Sequence, residues 1–229
     1  MRTRATIPAV CGMTAAPLMV VVWAIASVLR PGYNQLTQKG SELSTGQNSI
    51  VMNLDFALTG VLIMAFALGL ARNIIGSKLS KIGATLLLIA GMCEVVVAGF
   101  PCDPGCPAAI GSFSQNVHLG IALVFFSSIA FAPLFVGIGL GGDQFWKPYG
   151  PYTTASGIAS VVLGTAFSVA VLSSFPLVGL LERVFLSFPF LWIELMAIHM
   201  RKQHFPTLDS EMNGHRVILG STRSCSLSR

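Results

Sequence analysis

Residues 50–71 read IVMNLDFALTGVLIMAFALGLA, and Asp55 is the only charged side chain in this run. An α-helix rises about 1.5 Å per residue, so the run spans about 33 Å and can cross the roughly 30 Å hydrocarbon core of a bilayer. A helix of this length on a soluble protein would carry a polar face. The run therefore predicts a transmembrane helix.

The composition of the whole chain agrees with this prediction. The 229 residues are 53% hydrophobic and 10% charged, whereas soluble domains carry about 25% charged residues. Disorder requires low hydrophobicity and high charge, so it is excluded as a description of the whole chain. The net charge of +5 needs no nucleic-acid partner if its cations border a membrane. We expect an integral, multi-pass protein of the cell membrane, with the lipid bilayer as its main partner.

Five further stretches have the length and apolar character of membrane spans. The last is the least apolar, because it contains Glu182, Arg183 and Glu194. The first is long enough to span and lacks a small-residue cleavage pattern, so we expect it to be retained rather than removed as a signal peptide. The fold class predicted is all-α, a bundle of six transmembrane helices followed by a polar, disordered tail over 201–229. The predicted spans are 8–29, 50–71, 82–100, 117–140, 153–175 and 177–200.

The positions of Lys and Arg predict the orientation of this bundle. Cytoplasmic loops retain these residues. With six spans, eleven of the 14 fall on the side that holds both termini, and the other side has only Arg30, Lys39 and Arg183. We therefore expect both termini to be cytoplasmic.

The second outward loop contains two cysteines four residues apart, Cys102 and Cys106. Between them, Pro104 presets the first central φ of a type II turn and Gly105 accepts the positive φ of the second. The turn would direct Cys106 back towards Cys102. On the oxidising, non-cytoplasmic side these residues can form a disulfide. Two free thiols or a metal-binding pair are the alternatives.

Several short motifs in these loops and the adjoining helices carry a family resemblance. They are Arg30-Pro31-Gly32-Tyr33, Ser41-Glu42-Leu43, the run 53–60, the loop 100–106 and His118. With them, the chain resembles the six-helix membrane proteins catalogued as domain of unknown function 998. The resemblance covers about residues 10–200 and implies six helices and an outer-loop motif that includes Tyr33, Ser41 and Glu42. It implies no assigned reaction, and Leu119 follows His118 where the family often has Asn.

Ionisable side chains gather at one depth near the outer ends of the predicted helices. A charge inside the bilayer costs a few kcal/mol, so such residues usually pair or line a wet cavity. We expect five of them to form an outward-facing polar pocket. These five are Asp55, Glu94, Asp103, His118 and Arg183.

Three functional interpretations of this cluster are open. The pocket could bind or move a lipid or a small polar molecule. It could instead be a structural salt-bridge network in a partner-binding protein, with Arg183 and His118 neutralising the carboxylates. A lipid-modifying enzyme would use His118 and a carboxylate as an acid–base pair or as metal ligands. No phosphate loop or nucleophile elbow is present, so the sequence leans away from an enzyme and predicts no metal and no cofactor.

Two other features of the helices suggest roles. Glu194 either extends towards Arg201 or Lys202, or carries protons in a transporter. Two pairs of glycines, one at the end of the fourth span and one in the fifth, should let helix backbones approach each other. These pairs are Gly137 with Gly141 and Gly157 with Gly164. The oligomeric state stays open.

Overall fold

The computed structural model describes residues 6–74 and 77–202, and this part of the chain contains six long α-helices and no strand. Five of them are long and apolar enough to cross a membrane, whereas α6 carries more charged residues. Both predictions, of an all-α fold and of a multi-pass membrane protein, are confirmed. The helices are α1 (Thr6–Leu29), α2 (Ser49–Asn73), α3 (Lys78–Val97), α4 (Phe113–Gly139), α5 (Gly150–Leu172) and α6 (Val178–Lys202).

Three of the helices begin three or four residues earlier than the sequence predicted, because polar residues start them. The side-chain oxygen of Ser77 accepts a hydrogen bond from the backbone N–H of Ser80, and the first turn of α3 follows. Ser112 does the same for Gln115 at the start of α4. Pro151 lies in the first turn of α5, where its fixed φ suits a helix. Hydropathy does not detect such polar starts.

The six helices form a closed ring. Each helix packs against the next along the chain, and α6 packs against α1. Large apolar side chains fill the centre, among them Phe66, Phe185 and Trp192. We call the end of the bundle that carries segments 30–48 and 98–112 the loop end, and the opposite end the terminal end.

Glycines set the closest approaches between neighbouring helices. A Cβ atom on Gly60 would lie 2.6 Å from the carbonyl oxygen of Gly91, so α2 and α3 touch backbone to backbone. The same kind of close approach occurs where α4 meets α5. There Gly137 packs against Thr154, and Gly157 packs against Leu134.

The predicted packing role is confirmed for Gly137 and Gly157, and Gly164 lies against the Phe185 ring. The packing role predicted for Gly141 is wrong, because Gly141 lies beyond the end of α4 and a Cβ there would meet no described atom within 4 Å.

The predicted polar tail lies outside the described residues from position 203 onwards, whereas Arg201 and Lys202 continue α6. The placement of both termini in the cytoplasm stays a prediction.

Candidate functional site

The segment between α1 and α2 is held on α6 by a cluster around Tyr33. Arg183 Nη2 donates to Tyr33 Oη at 2.8 Å, and its Nη1 donates to the carbonyl of Gly179 at 2.8 Å. The Arg183 guanidinium also lies 4.5 Å from the Trp23 ring centroid. Burial raises the pKa of the Tyr33 hydroxyl, so the phenol stays neutral and donates to the Lys39 carbonyl at 3.0 Å.

Glu42 organises the short 3-10 turn Gly40–Ser44. Its carboxylate accepts hydrogen bonds from the Lys39 backbone N–H at 3.1 Å and from Gln38 Nε2 at 2.8 Å. Ser41 lies beside the second loop, because its carbonyl oxygen is 3.4 Å from Cys102 Sγ. The predicted loop-motif residues Tyr33, Ser41 and Glu42 therefore shape this loop.

Gly40, the residue before Ser41, connects this loop to α6. Its backbone N–H donates to Glu182 Oε2 at 2.7 Å. A Cβ on Gly40 would lie 2.2 Å from the Trp23 ring, so only glycine fits between the indole and the carboxyl group. Glu182 is 3% exposed and depends on this backbone donor.

The second loop contains the predicted turn. Cys106 N–H donates to the Asp103 carbonyl at 2.8 Å, and Gly105 has φ +82°. The Cα atoms of Cys102 and Cys106 are 5.1 Å apart, a separation typical of disulfides. The two side chains are buried with their sulfurs in direct contact.

Asp103 stabilises the entry to α4 and does not line a cavity. Its carboxylate accepts hydrogen bonds from Ser112 Oγ at 2.7 Å and from Ser112 N–H at 2.9 Å. These two bonds hold the pKa of the Asp103 carboxyl below its usual value. Gln115 then joins the loop to the helix, because its Oε1 accepts from Asp103 N–H and its Nε2 donates to the Pro107 carbonyl.

His118 lies beneath this loop, near the cysteines. Its Nδ1 is 2.9 Å from the Phe100 carbonyl oxygen, so the tautomer protonated at Nδ1 donates there and Nε2 carries the lone pair. A ring nitrogen of His118 and the two sulfurs all lie within 4.8 Å of one another. Two thiolates and an imidazole can hold zinc or copper(I). Such a site requires reduced cysteines, so it and a disulfide are mutually exclusive.

The contact between α2 and α3 places two carboxyl groups inside the bundle. Asp55 is 1% exposed, and Thr59 Oγ1 donates to its Oδ1 at 3.3 Å. The other Asp55 oxygen has no hydrogen-bond partner among the described residues. Glu94, one turn from Gly91, is 6% exposed, and its carboxyl group makes no hydrogen bond to any described residue.

Cations at the loop end bind backbone carbonyls instead of these carboxyl groups. Arg30 donates to the Thr45 carbonyl, and Lys39 Nζ donates to the Cys106 carbonyl. Arg183 binds carbonyls and the Tyr33 hydroxyl, as described above. Within residues 6–74 and 77–202, no cation lies within ion-pair distance of Asp55, Glu94 or Glu182. The described residues therefore lack the salt-bridge network that one interpretation of the sequence requires.

A cavity of about 320 Å³ opens between these groups and the loop-end halves of α4, α5 and α6. Its lining is mainly apolar, with polar groups at the loop end. The apolar wall includes Phe125, Phe126, Phe167 and Leu186, and the polar end includes Lys39, Ser41, Glu94, Gln115, His118 and Glu182. Burial lowers the pKa of the Lys39 ammonium, although the charges of Glu42 and Glu182 oppose this effect.

A second cavity of about 510 Å³ lies between α1 and α6, and Trp23 lines both cavities. Arg183 and Glu194 belong to this second space. Glu194 makes no ion pair with Arg201 or Lys202 in the described part of the chain, so the snorkelling interpretation has no structural support.

The structure therefore places the five residues predicted for one pocket in four different surroundings. Glu94 and His118 line the first cavity, whereas Asp55 lies behind Glu94, Asp103 braces the loop and Arg183 faces the second cavity. Sequence reasoning did not assign Lys39 and Gln115 to the pocket, and it did not identify the aromatic wall. A glycine at position 40, before the loop motif, could have indicated the contact with Glu182.

Comparison with known proteins leads to one family. The family described as "Protein of unknown function (DUF998)" matches residues 13–199. No curated protein matches the chain, and no solved structure does. The match covers most of the chain, including most of α1 and α6, the four helices between them and both loops of the site. The chain therefore belongs to the DUF998 family of helical membrane proteins of unknown function.

Proposed function

We propose that this protein binds an amphiphilic molecule, a lipid or a small molecule with a polar end, in the first cavity. The observation that carries the proposal is the shape and chemistry of that cavity. Its volume of about 320 Å³ is at the lower end of the range for small-molecule sites. Apolar side chains form most of the lining and polar groups lie at one end, which suits a ligand with one polar end and an apolar body.

The packing of α4 against α5 provides a path from the bilayer. The two helices touch at Gly137 and Gly157, near the terminal end. Towards the loop end the cavity lies between them, and its lining includes Leu123 and Leu172, which are 68% and 78% exposed. Side chains so exposed on spanning helices face lipid. A membrane lipid could therefore enter sideways between α4 and α5.

The buried carboxyl groups favour a binding site over a purely structural network. An unpaired charge in the membrane interior is costly, so structural carboxylates are expected to lie against cations. Asp55 and Glu94 have no such cation among the described residues, whereas Lys39 and Arg183 lie near enough to Glu182 to interact with its charge. A site that receives its counter-group from a ligand has this arrangement. Among the described residues, His118 is hydrogen-bonded to the Phe100 carbonyl and not to a carboxyl group.

The test is native mass spectrometry with a cavity-filling variant and a matched control. The protein would be reconstituted in vesicles of phosphatidylcholine, phosphatidylethanolamine and phosphatidylglycerol and then released from a mild non-ionic detergent. Ala122 lines the cavity, so Ala122→Phe should displace a bound lipid. Ala166 lies exposed on α5 outside both cavities, so Ala166→Phe should retain it.

We expect one lipid adduct on the wild type and on Ala166→Phe, and its loss from Ala122→Phe. A bare polypeptide mass for the wild type, or equal adducts on all three proteins, would contradict the proposal.

A further inference from the structure

We propose that the ligand of the first cavity carries a cationic group, such as an amine or a quaternary ammonium, which Glu94 binds. This inference rests on the proposed function and names the ligand class. It starts from the charges of the residues that line the cavity. Two carboxyl groups, Glu94 and Glu182, lie at its polar end, and Lys39 is the only Lys or Arg in the lining.

Of these three charged groups, Glu94 is the one that remains available to bind a ligand. Lys39 already donates to the Cys106 carbonyl, and Glu182 already accepts from the Gly40 N–H. Glu94 is 94% buried, lines the cavity and has no hydrogen-bond or ion-pair partner among the described residues. A buried carboxyl group is normally satisfied by hydrogen bonds or an opposite charge. Glu94 can obtain both from a protonated amine in the cavity, and the opposite charge alone from a quaternary ammonium.

The environment of Glu94 favours a cation over an anion or a neutral group. Asp55 and Glu182 lie near enough to interact electrostatically with Glu94, although Lys39 and Arg183 oppose the charge of Glu182. An anionic head group would lie against Glu94 and Glu182, the two carboxyl groups of the lining. Aromatic rings on the cavity wall, including Phe125 and Phe126, can attract cations through their π faces. These rings also suit the methyl groups of a quaternary ammonium.

The test compares three probes that share a twelve-carbon chain and differ in the charge of the head group. They are dodecyltrimethylammonium, dodecanol and laurate. Retention of each by the purified protein would be measured by native mass spectrometry. The proteins compared would be the wild type, Glu94→Gln and Glu194→Gln. The last is the matched control, because Glu194 is a membrane-embedded carboxyl group of the second cavity and not of the first.

We expect the wild type and Glu194→Gln to retain dodecyltrimethylammonium at least about tenfold better than dodecanol or laurate. Glu94→Gln should lose this preference while still retaining dodecanol. Equal retention of all three probes by the wild type would overturn the cationic assignment but leave the amphiphile site intact. Retention of none of the probes would refute the proposed function itself. The comparison of probes on the wild type decides the charge class even if Glu94→Gln fails to fold.

Discussion

The contact between α2 and α3 at Gly91 gives the sharpest test of the packing that builds the site. A Cβ on Gly91 would lie 2.7 Å from the Gly60 carbonyl oxygen, whereas ordinary contact begins at 3.4 Å. Both partners are helix backbone, so neither can rotate away. In Gly91→Ala the helices must move apart by about 0.7 Å. We expect overpacking to lower the free energy of unfolding by about 1–3 kcal/mol.

The measurement is thermal unfolding in detergent, followed by tryptophan fluorescence. For a chain of this length, the expected loss corresponds to a Tm lower by roughly 2–12 °C. The matched control is Gly120→Ala on α4, where the added Cβ meets no atom within 4 Å. That change should keep or slightly raise Tm, because Ala favours helix over Gly by up to about 1 kcal/mol. Equal Tm values for Gly91→Ala and the control would refute the reasoning.

Three further predictions concern the loops and the topology. Reduction should raise the thiol count of the denatured protein from three to five, the total number of cysteines, and equal counts would exclude a bond between Cys102 and Cys106. The lowered pKa of Asp103 means that its stabilising hydrogen bonds persist above the ordinary carboxyl pKa and are lost as the pH falls through the folded-state value. The Tm difference between wild type and Asp103→Asn should therefore shrink from pH 7 to pH 3, and a constant difference would contradict this. In a chain without other free cysteines, a membrane-impermeant maleimide on intact cells should label Thr37→Cys and spare Lys78→Cys, and the reverse pattern would invert the topology.

The architecture could be predicted because a membrane allows so few solutions. In hydrocarbon the backbone must satisfy its own hydrogen bonds, so a long apolar run has to be a helix. The ends of the helices were harder to predict, because they depend on polar residues such as Ser77 and Ser112. A prediction based on hydropathy leaves these polar residues out of the transmembrane span, although they begin the helix that contains the span.

The candidate site could be predicted only in part, because sequence gives the depth of a residue but not its direction. Glu182 and Arg183 are neighbours at one depth, but successive helical residues differ by about 100° around the axis. One therefore lines the first cavity and the other the second. Asp103 also lies at the loop end, but its nearest donors are in its own loop.

The distribution of charges at the loop end links the fold to the proposed ligand. Arg30, Lys39 and Arg183 each donate to backbone carbonyls, so these cations stabilise loops. The carboxyl groups of Asp55 and Glu94 lie inside the bundle without them. A carboxylate buried without a cation is costly, and Asp55 and Glu94 receive no cation from the described residues. The basic side chains bind loops, and the carboxyl groups of Asp55 and Glu94 lie apart from them. This arrangement favours a site in which the positive charge comes from a ligand.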